Sequence, residues 1–349
     1  MIFRALPLAE AKGAILAHSI PLPGCVLSKG SVLSEEVVTA LAAAGRESVL
    51  AGRLEAGEVP EDAAADRLAA ALLAPLIGRS HAATGRVNLY AEVPGLLRVN
   101  RTTVDRMNRL DESVTLATLA DYAVVAAKEM IATIKIIPFA VTAATLAVTE
   151  ALARQEKPAL ILHPFRSYRV GLVTTELAGM PHGMAQQTIA ASDARVTALT
   201  GTLLPPLSAQ HAAEPIADAL KALISQGAEI LLVVGASGVV DRRDVAPEGI
   251  IRAGGHIIRL GMPVDPGNLI CIGAIGEKPA LVLPGCAHST MRSGIDLILP
   301  RLFAGLPVGS AEVATMGVGG LLPDIEARPM PRAEAPAAPR IGAAPRARP

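Results

Sequence analysis

The chain has 349 residues, 51% of them hydrophobic, which at about 100–200 residues per domain is enough for two or three domains with substantial cores. Its 32 Lys and Arg balance its 32 Asp and Glu, and aromatic residues make up only 2%. It therefore lacks both the basic footprint of a nucleic-acid binder and the stacking platforms that single strands need.

The N-terminus, MIFRALPLAEAKGAILAHSIPLPG, carries Glu10, Lys12 and His18 where a signal peptide would be apolar. The longest apolar run, from Ile134, is broken by Lys135, Pro138 and Glu150, so neither a leader nor a membrane span is expected. Cys25, Cys271 and Cys286 come without CxxC or His-rich spacing, which argues against a disulfide framework or a structural zinc site and fits a reducing cytoplasm. Helical periodicity is expected over Ala9–Ala17, then a turn at Pro21–Gly24. Ser34 ahead of Glu35 and Glu36 reads as a helix start and Gly45 as its stop, followed by a strand over Ser48–Leu54 and an alanine-rich helix over Glu61–Leu76. Short runs at Val87–Ala91, Leu96–Val99, Val114–Leu119 and Met130–Ile137 predict a small β-rich subdomain over about residues 81–137. Residues 1–155 are thus expected to form an α+β N-terminal region.

A helix over Thr142–Arg154 leads into an alternation of elements. The expected strands are Ala159–Leu162, Arg169–Thr174, Glu229–Val234, His256–Leu260, Leu269–Ile272 and Ala280–Leu283. The expected helices are Met184–Ala198, Ala213–Gln226, Asp244–Ala253 and Ser289–Ala304. This alternation predicts an α/β domain over residues 156–305, built on a doubly wound, mostly parallel sheet with its ligand at the carboxyl ends of the strands. Residues 306–326 read as a C-terminal extension. Residues 327–349, ARPMPRAEAPAAPRIGAAPRARP, are nearly all Ala, Pro and Arg. They cannot bury a core and read as a disordered tail or a linker.

Three strand ends carry polar chemistry. VGLVTTELAG delivers Thr174, Thr175 and Glu176. In VGASGVVDRRD the residues Gly235, Ala236, Ser237 and Gly238 lack bulk, so their amides can approach an anion while a hydroxyl and the next helix N-terminus add donors. Asp241 and Asp244 would repel a bare phosphate. With a hard divalent cation between them they become a magnesium–phosphate clamp with Glu176 as a third oxygen ligand, and Arg242 and Arg243 meet the remaining negative charge. The alternative is that the small residues only punctuate a turn and that Asp241 or Asp244 caps the following helix. In LPGCAHS, Pro284 and Gly285 form a turn, Ser289 an N-cap and His288 an exposed histidine, while Cys286 as a nucleophile lacks an identifiable base. Asp265 in MPVDPGN reads as a turn former, and His163, His182 and His211 have no metal-like spacing. No GxGxxG follows the first strand of the alternation, which argues against a dinucleotide fold.

Taken in order, VTTELAG, VGASGVVDRRD, GMPVDPGN and LPGCAHS resemble the molybdopterin-binding domain shared by molybdopterin adenylyltransferases and molybdopterin molybdotransferases. There the corresponding segments read Thr-Gly-x-Glu-Leu, Gly-Gly-x-Ser-x-Gly followed by Asp, Pro-Gly-x-Pro and Leu-Pro-Gly-Asn-Pro. The resemblance covers about residues 158–305, and KGSVLSEEVVTALAAAGRESV is similar to the molybdotransferase segment that precedes that domain. It implies Glu176, Asp241 and Asp244 as metal-side and catalytic positions. It implies Thr174, Thr175, Gly235, Ala236, Ser237 and Gly238 around the cofactor phosphate, with Pro284, Gly285 and Ser289 lining the far wall. The ligand it implies is molybdopterin or adenylylated molybdopterin, with Mg2+ and molybdate. The protein it implies is a cytoplasmic homo-oligomer of molybdenum-cofactor biosynthesis, without nucleic-acid or membrane partners, working beside a nucleotidyltransferase domain or other maturation proteins. Thr175 and Ala236 stand where the family has glycine, CAHS replaces Asn-Pro-Val-Ser, and no Met-Asp-Gly-Tyr-Ala segment is present. These departures leave three activities open: molybdate insertion, a carrier without turnover, and a nucleotide pyrophosphatase of the kind found in competence-damage-inducible proteins.

Overall fold

The computed structural model describes residues 1–154, 158–177 and 184–322. Gly179, His182, the tail at 327–349 and the side chain of Cys286 lie outside that description. The N-terminal strand Ile2–Pro7 pairs antiparallel with Ser48–Arg53, which also takes Ile15–Leu16 on its other edge. The helix expected over Ala9–Ala17 is only Leu8–Ala11, because Gly13 at φ 78° turns the chain out of the helix and into the strand Ile15–Leu16. The next helix, Glu35–Ala43, starts as its sequence indicates: Ser34 Oγ accepts from the Val37 N–H at 3.3 Å, the N-cap bond that satisfies an otherwise orphaned amide.

A four-stranded antiparallel sheet follows, in the order Val114–Thr118, Met130–Ile136, Arg86–Ala91, Ile77–Arg79. Period-two alternation turns Val87, Leu89 and Ala91 to one face, where they share a core with Ala65 and Leu68 of the helix Glu61–Leu72 and Leu146 of the helix Ala143–Ala153. Those two helices are tied by a bidentate pair, Arg67 Nε to Glu150 Oε1 at 2.8 Å and Arg67 Nη2 to Glu150 Oε2 at 3.0 Å. The region is less purely β than its sequence suggests, because Arg101–Leu110 is a helix capped by Asn100 Oδ1 on the Thr103 N–H at 3.3 Å. The strand expected at Ala159–Leu162 forms as Leu160–Pro164 but does not enter the α/β sheet. It pairs antiparallel with Gly95–Val99, because its inward-facing Leu160 and Leu162 complete the N-terminal core.

Beyond it the chain builds a seven-stranded sheet among the described residues. Thr202–Leu203 and Leu207–Gln210 pair with Arg169–Glu176, which pairs with Ile230–Val234, which in turn pairs with Lys278–Leu283, all parallel. Cys271–Ile275 and Gly255–Leu260 continue the sheet antiparallel. All five residues of Ile230–Val234 are buried, as expected of a strand covered on both faces. Alternation sorts them: Ile230, Leu232 and Val234 pack with Val196 of the helix Met184–Ala198 and with Ile298 and Phe303 of the helix Ile295–Phe303. Leu231 and Val233 face Ile216 and Leu220 of Ala213–Ser225 and Ile250 of Val245–Arg252. No described helix is long and apolar enough to cross a membrane.

Candidate functional site

The register of the parallel strands brings the segments together. Thr174 lies opposite Val234, and Val234 opposite Leu283. Gly235 and Pro284 therefore leave the sheet side by side at its carboxyl edge, next to Thr175, which stays paired with Ala209 on the other side of its strand. In open α/β sheets that edge is where ligands bind.

Thr175 is 6% exposed, and its hydroxyl organises this edge. Its Oγ1 accepts from the Ala236 N–H at 2.8 Å and lies 2.9 Å from His211 Nδ1 and 3.4 Å from the Val234 carbonyl. A hydroxyl has one proton: it goes to the Val234 carbonyl where His211 Nδ1 carries its own hydrogen, and to Nδ1 in the other tautomer. His211 comes from the end of Leu207–Gln210, held there by its own N–H on the Glu176 carbonyl at 3.0 Å. The turn after Val234 is tight: a Cβ on Gly235 would sit 2.8 Å from the Ser237 carbonyl oxygen, so only glycine fits. Ser237 is exposed at the tip of the turn.

The three carboxylates assigned to a metal are each engaged elsewhere. Glu176 Oε1 accepts from Ser208 Oγ at 2.9 Å. Asp244 caps the helix Val245–Arg252, with Oδ1 on the Val245 N–H at 2.7 Å and Oδ2 on the Val240 N–H at 3.1 Å. Asp241 Oδ1 accepts from the Arg243 N–H at 2.9 Å and from Arg243 Nε at 3.0 Å, and that contact with the guanidinium holds its carboxyl below the usual range. Arg242 donates to the Ile257 carbonyl at 3.1 Å rather than pointing at a free anion site. Among the described residues no group of three His, Cys, Asp or Glu is placed to hold a metal ion. As arranged, these carboxylates do not form a magnesium site.

At the third strand end, Pro284 is buried and Gly285–His288 form a turn of 3-10 helix. Ser289 is not a helix cap. Its Oγ accepts from the Met291 N–H at 3.1 Å, and the helix starts later, at Ile295 behind Gly294. The segment is held by a residue the sequence did not single out. Arg195 pairs through Nε with Asp296 Oδ1 at 2.8 Å and donates to the carbonyls of Ala287 at 3.2 Å, Ser289 at 2.7 Å and Met291 at 3.0 Å. His211, which has no metal-like spacing in the sequence, is likewise placed at this edge by the fold. Its signal was the short run Leu207–Gln210, a fourth strand end obscured by Pro205 and Pro206. Cys271 is no nucleophile, since burial in the core pushes its thiol up to about 11.

A family model described as a domain of unknown function (DUF8806) matches residues 5–53. No curated protein matches the chain in sequence. Among solved structures the chain is similar to the molybdopterin biosynthesis MoeA protein from Pyrococcus horikosii, with 14% identity and a TM-score of 0.32 over 71% of this chain and 80% of that one. It is also similar to a putative molybdenum cofactor biosynthesis protein from Corynebacterium diphtheriae, with 14% identity and a TM-score of 0.29 over 41% of this chain and 100% of that one.

Proposed function

We propose that the ends of Arg169–Glu176, Ile230–Val234 and Lys278–Leu283 hold a phosphorylated pterin, molybdopterin or its adenylylated form, and that the chain serves molybdenum-cofactor biosynthesis. One observation carries this reading: three of the segments that resemble the molybdopterin-binding domain, far apart in sequence, come together at the carboxyl ends of adjacent parallel strands. With helices on both faces, we read the sheet as the doubly wound sheet of that domain. The Gly235–Gly238 turn, pinned to Thr175 through the Ala236 N–H, offers main-chain amides and the exposed Ser237 hydroxyl to a phosphate. Pro284 and the turn clamped by Arg195 form the opposite wall. We place magnesium and molybdate with the ligand rather than in a preformed carboxylate cage.

A second reading, a carrier that binds without turnover, is favoured by the engagement of Glu176, Asp241 and Asp244 with donors of the protein itself. The experiment that separates them is titration of the purified chain with adenylylated molybdopterin and magnesium, with and without molybdate. Release of AMP marks an insertion enzyme, and tight binding without release marks a carrier. No affinity for the pterin overturns both, and hydrolysis of ADP-ribose in that case would indicate a pyrophosphatase.

A further inference from the structure

A second concavity lies away from the strand ends, where the β-rich region meets the helices Met184–Ala198 and Ile295–Phe303. It is a cavity of about 730 Å³ lined on one side by Leu119 and Tyr122 and on the other by Ala194, Ala198 and Leu297. That volume falls within the range of about 300–1,000 Å³ typical of small-molecule sites. Alanines at spacings of three and four on Met184–Ala198 leave the room, where longer side chains would fill it.

Its charges do not balance. Arg195 is neutralised by Asp296 at 2.8 Å, and Asp121 is taken by Arg98 at 2.9 Å. Two further guanidinium groups reach the wall: Arg301, whose Nη1 donates to the Leu297 carbonyl, and Arg292. Arg301 is stacked over the Tyr122 ring at 3.8 Å, and Arg98 also lies over that ring, at 4.1 Å. Among the described residues neither Arg301 nor the exposed Arg292 has a carboxylate within ion-pair distance. Burial lowers the pKa of Arg301 and the neighbouring Arg98 adds to it, outweighing Tyr122 and the Asp121 charge, which raise it. A half-buried guanidinium facing an apolar cavity is satisfied best by an anion brought in from outside.

We propose that this cavity binds a small organic anion with an apolar body, the acid group between Arg292 and Arg301 and the body against Leu119, Ala194, Ala198 and Leu297. The site is independent of the molybdopterin reading, since none of the strand-end residues lines it. It shares Arg195 and Thr290 with that edge, because Arg195 also holds the turn after Pro284, in which Thr290 lies.

The test uses the full chain and a fluorescent probe of this chemistry, 1-anilinonaphthalene-8-sulfonate, beside N-phenyl-1-naphthylamine, which has the same rings without the sulfonate. Saturable binding of the sulfonate at one site is expected. Arg292→Glu should weaken it by about tenfold, the loss of one charge-assisted contact, and leave the neutral probe unchanged. Ala198→Trp, an exposed position on the cavity wall, should fill the space and abolish binding. Both variants should keep the parent's thermal unfolding midpoint, because neither removes a described contact. Equal binding of the two probes, or sulfonate binding unchanged in both variants, would overturn the proposal.

Discussion

Thr175 Oγ1 lies 2.9 Å from His211 Nδ1 and 2.8 Å from the Ala236 amide, so one buried hydroxyl joins three strand ends. Replacing Thr175 with Val keeps the shape and removes the acceptor. The partly buried Ala236 N–H is then unsatisfied, a loss of about 1–3 kcal/mol. Urea unfolding should show that loss, and the affinity for adenylylated molybdopterin should fall with it. His211→Ala, which leaves the Ala236 bond intact, should lose less stability. Equal losses in the two variants would mean that the imidazole, not the hydroxyl, holds the turn.

The clamp at Arg195 should be the costlier deletion. Its side chain is only 10% exposed and serves Asp296 together with carbonyls of the 287–291 segment. Arg195→Ala leaves a partly buried carboxylate without its partner, and a destabilisation of about 2–3 kcal/mol is expected. Limited proteolysis should then cut near Met291 sooner than in the parent, and unchanged cleavage there would show that the turn holds itself.

These two residues also mark where sequence reading stopped. The helix Ala213–Ser225 and the cap at Ser34 were legible because their signals are local, an apolar period and a hydroxyl ahead of two glutamates. The strand cores were legible from their apolar runs. The partners of Arg195 and His211 were not, because Asp296 lies 101 residues from Arg195 and Thr175 lies 36 residues from His211. The helix Arg101–Leu110 was hidden by its polarity, since only Thr103, Val104 and Met107 are buried. The start expected at Ser289 moved to Ile295 because the chain first makes the 3-10 turn and the Arg195-bound segment. For the carboxylates, the local reading was the one realised at Asp244, which caps a helix.

That cap makes a sharp contrast with its neighbour. Asp244→Ala should lose about 1 kcal/mol of stability, the usual cost of removing an N-cap acceptor. Asp241→Ala breaks an exposed pair with Arg243 and should leave the unfolding midpoint unchanged. If either substitution abolishes pterin binding while stability stays within these expectations, that carboxylate acts on the ligand and the insertion reading gains over the carrier.

Acid should weaken the N-terminal half through Glu150. The bidentate hydrogen bond from Arg67 holds its carboxyl below the ordinary value of 4.5. A carboxyl with a depressed folded-state value contributes stability that is fully present above its unfolded value and is lost as pH falls through the folded one. The loss should therefore begin as pH drops through about 4.5 and end below the lowered value. Urea midpoints of the parent at pH 7 and in the acid range should show this decline. Glu150→Gln, which cannot ionise, should start lower at pH 7 and decline less steeply on acidification. An identical slope in the two proteins would assign the acid sensitivity to other carboxylates, with Asp111 the next to test because its bonds to Ser113 and Thr145 lower it in the same direction.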